Sequence, residues 1–280
     1  MRFDSVAIVD WSAGNDTGPR PRKDAIWVGS VIGGKPQEPV YLRNRALAFK
    51  HLCDLIDRER EEGRCLAIGF DFPFAYPKDF AQHLECKDVF AMWDYFAQNL
   101  IDTPKSNNRF ALAGQINALL PGDGPFWFNG LQEDIAHLPR KKPVSATHGL
   151  REKRRVEEKT KGTFTCWQMG GAGAVGGQVM TGMATLSKLR ARFAGQISVW
   201  PFEPLTAPVA FVEIWPSLID PAVKADTDPI RDRAQVRLLA QALANLPQDQ
   251  LAAMLDVETD EEGWILGAGF EKELLKALCP

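Results

Sequence analysis

The sequence predicts an α/β fold built on a mixed sheet, and three apolar runs that each end in an acid predict it. Val6-Ala7-Ile8-Val9 leads into Asp10, Cys65-Leu66-Ala67-Ile68-Gly69-Phe70 into Asp71, and Val209-Ala210-Phe211-Val212 into Glu213. A continuous apolar run of this length suits a strand buried on both faces. A carboxylate at the exit of such a strand stands at the rim of the sheet, where open α/β folds bind ligands.

The elements between these runs follow in order. A turn-rich loop covers 13–19, with basic Arg20, Arg22 and Lys23 behind it. Residues 24–32 are strand-like, since Ile26, Trp27 and Val28 favour β structure. Gly33-Gly34 signals a hairpin, and Val40-Tyr41-Leu42 returns as a third strand. Asn44 is a candidate N-cap for a helix on which Ala48, Leu52, Leu55 and Ile56 recur at helical spacing, and Gly63 ends it. The opening order is therefore β-β-β-α-β.

The middle of the chain reads differently. Residues 85–160 form an inserted helical cap, with helices over 88–100 and 108–120. The aromatic run Phe126-Trp127-Phe128 follows, then nine Lys or Arg against three Glu between 140 and 161. Beyond it, Gly171 to Gly176 precedes a helix with Val179, Met183, Leu186 and Phe193 on one face. Strands are expected at 197–200 and 209–212. A helix should start at Asp228-Pro229, with Asp as N-cap and Pro at the first helical position, and end at Leu246. A short β-like stretch at 262–266 and a helix over 271–278 complete the chain.

Composition narrows the function. A chain of 280 residues that is 45% hydrophobic can bury a full core. A net charge of -3 does not mark a nucleic-acid binder by bulk electrostatics. No apolar run approaches the roughly 18 residues that span a bilayer. Asp4 and Asp10 near the start argue against a signal peptide. Five scattered cysteines, never spaced CxxC, speak against a zinc site or a disulfide framework, so a reducing cytoplasm is expected. The four histidines have no metal spacing and no nucleophile elbow, which removes Ser-His-Asp chemistry.

Carboxylates from separate strands that meet at one sheet edge repel each other unless a cation joins them. Hard oxygen donors select Mg²⁺ or Mn²⁺. Asp10, Asp71 and Glu213 are the expected metal ligands, with Asp232 as a fourth acid from the start of the late helix. Asp228 competes for that place, but as N-cap its oxygen is already engaged. The bland alternative is three solvated strand ends.

At these residues a resemblance enters. Asp10 after the first strand, the hairpin of strands two and three, Asp71-Phe72-Pro73 and Glu213-Ile214-Trp215-Pro216-Ser217 resemble a bacterial RNase-H-like family of unassigned function whose members are predicted nucleases. Glu262-Gly263-Trp264-Ile265 resembles the family's C-terminal end. The likeness covers the first and last quarters of the chain. It implies a mixed five-stranded RNase-H-like sheet with flanking helices, and catalytic Asp10, Asp71 and Glu213. It also implies a nucleotide or nucleic acid as partner, and a link to molybdopterin guanine dinucleotide synthesis through a label carried by relatives. The expected activity is metal-dependent hydrolysis of a phosphodiester or related nucleotide bond by an activated water. The alternatives are a non-catalytic protein of the same fold that binds a nucleotide or a partner chain, and phosphoryl transfer, since sugar kinases share the strand order and first acid.

Two further motifs compete. Gly171-x-Gly173-x-x-Gly176 matches a dinucleotide fingerprint, yet the segment before it carries Thr163, Thr165 and Gln168 and is no apolar strand. Its amides, Gly171 and Gly173 among them, are candidates to hold a substrate phosphate. Arg154 and Arg155 in the basic run are candidates for the same task, against the plainer reading of a solvated helix face balanced by Glu157 and Glu158.

Overall fold

β1 (Ser5–Asp10) sits at the heart of the sheet, with Ser5 to Val9 buried. The computed structural model describes residues 3–14, 18, 25–145, 147–258 and 260–279. Most of the expected turn-rich loop after β1 and the basic Arg20, Arg22 and Lys23 lie outside the described residues.

The chain divides into two compact units, Met1–Phe72 with Leu189–Pro280, and Pro73–Lys188. In the first unit β2 (Ile26–Ile32) runs antiparallel to β1. Gly33 and Gly34, at φ +53° and +76°, turn the chain back as a two-residue hairpin requires. The returning strand is broken in two, β3 (Lys35–Pro36) and β4 (Val40–Leu42), both paired with β2. Pro39, which has no N–H to donate, falls in the gap. α1 (Arg45–Glu61) begins under the expected cap, since Asn44 Oδ1 accepts the Leu47 N–H at 3.0 Å. It ends before Gly63 at φ +66°. β5 (Leu66–Phe70) then pairs parallel with β1.

The second unit holds α2 (Phe80–His83), α3 (Val89–Asn99), α4 (Arg109–Asn117), α5 (Arg155–Lys159) and most of α6 (Gly176–Arg192). It is wider than the 85–160 cap read from the sequence. Its centre is aromatic: Tyr76 stacks on Trp167 at 5.0 Å and meets Phe80, Phe96 and Phe126. Trp93 donates its indole N–H to the Phe74 carbonyl at 2.7 Å. Tyr76 is 2% exposed, so it belongs to this core.

The return to the first unit adds β6 (Ile197–Val199) and β7 (Val209–Glu213), parallel to each other, with β7 also parallel to β5. A 3-10 turn (Pro216–Ile219), α7 (Asp220–Ala225), α8 (Arg231–Asn245), α9 (Gln248–Leu255) and α10 (Glu271–Ala277) follow. Among the described residues the sheet has seven strands, in the order β3-β2-β1-β5-β7-β6 with β4 also on β2. The expected five-stranded sheet is thus corrected to seven: the third strand is split, and β6 and β7 both join. Residues 262–266 are not a strand. Gly263 and Gly267 turn there at φ +70° and +87°, and Leu266 N–H makes one bond to the Glu213 carbonyl.

α8 covers one face of β1 and β2. A Cβ on Gly29 of β2 would meet the backbone of Val236 at 2.5 Å, so the missing side chain is what admits the helix. The other face receives α1, where Ser5 Oγ donates to the buried Glu59 carboxylate. Among the described residues no helix is long and apolar enough to cross a membrane.

Candidate functional site

β1 and β5 end side by side, because Val9 pairs with Phe70 and the next residues are Asp10 and Asp71. The ladder continues one step further with the Asp71 N–H on the Val9 carbonyl at 3.2 Å. There it changes character. The Trp11 N–H donates to Asp71 Oδ1 at 2.6 Å, so a side chain takes the bond in place of a strand carbonyl. The carboxyl groups of Asp10 and Asp71 lie close enough to share a hydrogen bond. Two carboxyl groups can share such a bond only with a proton between them.

Burial pushes the Asp71 carboxyl up, the bonds from Asp10 and from the Trp11 N–H pull it down, and the negative charge of Asp232 raises it again. The net result is about 6, against an ordinary 3.8. Asp232 lies in the first turn of α8, on the face of the sheet that this helix covers. Asp10 and Asp232 therefore both act on Asp71.

Glu213 follows the alternation of its own strand. It pairs with Phe70, which pairs with Val9, and directly paired residues send side chains to one face. Asp10 shares its face with Ile8 and Gly29, under α8, whereas Val9, Phe70 and Glu213 point to the side of Ser5 and α1. Ring contacts of Phe70 with Phe72 and Phe211 follow the same alternation. Register thus puts Glu213 on the opposite face of the sheet from Asp10, with which it was expected to share a site. One residue of offset between β5 and β7 accounts for the difference. Glu213 is 2% exposed.

Asp228 is engaged, as expected, but not as the helix N-cap. α8 starts at Arg231, two residues later than read from the sequence, and Asp228 accepts the Ile230 N–H at 2.9 Å while Arg233 grips its carboxylate with two bonds. Arg45, buried at the first position of α1, was not singled out from the sequence. It donates to the carbonyls of Ser12 and Gly14 at 2.9 and 2.7 Å, fixing the chain just beyond Asp10. An arginine opening a helix has no sequence signature that marks this use.

The phosphate-binding candidates belong to the second unit. Arg154 is fully buried and spends its guanidinium on Glu157, at 2.9 and 3.1 Å, while Glu157 also accepts the Arg154 N–H. That assignment is corrected: a buried charge held by its own carboxylate has none to offer a phosphate. Arg155 opens the five-residue α5 next to it. Gly171 and Gly173, at φ +83° and +74°, are turn residues. Side chains there would meet the rings of Phe128 and Phe164. Neither a strand nor a ladder precedes them, since Gln168 forms an isolated bridge with Trp127. Much of the basic run is paired internally, Lys142 with Glu152 and Arg151 with Glu158.

The paired carboxyls of Asp10 and Asp71 offer only oxygen donors, which suit a hard cation. Two carboxyls that need a proton between them would equally accept Mg²⁺ or Mn²⁺, and Mg²⁺ is commonly held by one or two carboxylates, with waters and substrate completing its shell. Among the described residues no group of three or more His, Cys, Asp and Glu side chains stands arranged to hold a metal, so a complete protein cage is absent there. No protein-family model, no curated protein and no solved structure matches the chain.

Proposed function

We propose that the chain is a metal-dependent hydrolase of RNase-H-like architecture, acting on a phosphodiester or related nucleotide bond. The observation that carries this reading is the Asp10–Asp71 pair at adjacent strand ends, pressed together within the field of Asp232. The antiparallel β1–β2 pair, the hairpin from β2 to β3, the crossing through α1 and the parallel β5 support the architecture. Asp10 and Asp71 would hold Mg²⁺ or Mn²⁺, with Asp232 beside them. A bound ion of this kind lowers the pKa of a water and stabilises charge on a phosphoryl oxygen. The Trp11 N–H orients the Asp71 carboxylate through its 2.6 Å bond to Oδ1. Loading requires the proton between the two carboxyls to leave. With Asp71 near 6, that loss occurs just below neutral pH.

A second reading, a non-catalytic nucleotide- or partner-binding protein of the same fold, is favoured by the lack of a complete ligand cage among the described residues. Two measurements separate the readings. Millimolar Mn²⁺ should raise the melting temperature of the parent by mass action, about 2.7 kcal/mol at a hundredfold excess over Kd. Asp10→Ala should abolish the rise, and only the parent should hydrolyse bis-p-nitrophenyl phosphate with Mn²⁺. An unchanged melting temperature would sink the metal site. Stabilisation without turnover of this or any nucleotide diester would favour the second reading.

A further inference from the structure

We infer that the Asp228–Arg233 ion pair is a positioning device that holds Asp232 against the Asp10–Asp71 pair; the inference rests on the cation site proposed above. Acids gathered at one sheet edge repel each other once ionised, and the end of a helix frays easily. Asp232 sits in just such a place, the first turn of α8. That turn begins at Ile230 with no side-chain cap. Something else must keep it on the sheet.

Arg233 is the next residue. Its Nε and Nη2 reach Asp228 Oδ2 and Oδ1 at 2.7 and 2.8 Å, a two-pronged grip. Asp228 Oδ1 also accepts the Ile230 N–H, so one carboxylate ties both the approach to the helix and its first turn. The guanidinium stands over the ring of Trp27, 5.9 Å from its centroid. Trp27 is the residue paired with Asp10 across the β1–β2 ladder, and so lies on the same face. Its indole N–H has no hydrogen-bond partner among the described residues, and the ring is oriented by packing, with Tyr41 against it at 5.2 Å.

A continuous path thus runs from Asp10 through Trp27 and Arg233 to Asp228, and Asp232 is carried on it. Outer partners of this kind typically change metal affinity by about 10–100-fold when removed. Arg233 is a positioning residue here, since it acts through Asp232. The pair Arg237–Asp226, at 2.8 Å, joins the same loop to α8 one turn later and serves as the control.

The test measures Mn²⁺ affinity by isothermal titration on the full chain. Arg233→Gln and Asp228→Asn should each weaken Mn²⁺ about tenfold or more, and the double variant no further. Arg237→Gln should bind as the parent does. Arg233→Lys keeps the charge and loses the fork, and supplies the reading if either neutral variant fails to fold; it should also weaken Mn²⁺. Parent-like affinity in Arg233→Gln and Asp228→Asn would overturn the inference and leave the cation site standing. Equal weakening by Arg237→Gln would overturn it too, as general loosening of α8. A parent that binds no Mn²⁺ defeats the cation reading and the inference with it.

Discussion

Asp71 is the residue at which stability and binding pull in opposite directions. Its carboxyl releases its proton at about 6 in the folded chain and near 3.8 when free of its surroundings. Between those values the folded state keeps a proton that the unfolded state has lost. Stability from this group therefore falls as pH rises through the window of about 4 to 6, and the full penalty persists above it. Asp71→Asn imitates the protonated form. Its Oδ1 can still accept the Trp11 N–H and its Nδ2 can donate to Asp10. Without divalent cations this variant should match or exceed the parent in melting temperature at pH 7.5, by the equivalent of about 1 kcal/mol. The gap should narrow markedly by pH 4.5, and Mn²⁺ should give no rise. A variant clearly less stable than the parent at pH 7.5 would contradict the shared proton. At this scale the sequence revealed the acids by their place after apolar runs. It hid which way each points, because Glu213 looks like the other two until the pairing offset is known.

The element that matters most to the site is α8, and its seat on the sheet is made by a residue without a side chain. Gly29 lies opposite Ile8 in β2, and a Cβ there would meet the carbonyl carbon and oxygen of Val236 at 2.5 Å and the Arg237 nitrogen at 2.7 Å. Helix backbone cannot yield as a flexible side chain would. Gly29→Ala should therefore cost about 1–3 kcal/mol, as overpacking does. Because the displaced helix carries Asp232, Mn²⁺ should also bind more weakly to the folded fraction. Denaturant unfolding with and without Mn²⁺ checks both, and a loss below about 0.5 kcal/mol would show that α8 is not seated this closely. Asp228-Pro229 announced α8, which ends before Pro247 as expected, while its start was placed early. Asp228-Pro229 reads as a cap and first turn, but Asp228 is drawn to Arg233 and the helix begins after Ile230.

At the scale of the whole molecule the chain makes two units, each with its own core. The first is a sheet of aliphatic strands; the second is packed around Tyr76, Phe80, Phe96, Phe126 and Trp167, all nearly or fully buried. Tyr76 makes its ring contacts with Phe80, Phe96, Phe126 and Trp167 of the same unit. Residues 73–192, which keep α6 whole, should therefore fold when expressed alone and show a near-ultraviolet circular dichroism signal from the buried tryptophans Trp93 and Trp167. A featureless spectrum with helical far-ultraviolet signal would mean that this core needs the rest of the chain.

What the sequence determined by itself was local and periodic. The buried strands, the hairpin at Gly33-Gly34, the Asn44 cap and the carboxylates at the ends of β1 and β5 all follow from alternation, capping and turn chemistry within a few residues. What only the tertiary structure decided was relative: the offset that turns Glu213 to the face of α1, the burial of Arg154 on Glu157, the enclosure of Tyr76, and the approach of Asp232 to Asp71. Each of these depends on partners distant in the chain or on a one-residue register, and a strand's pattern reads the same whichever face is later covered.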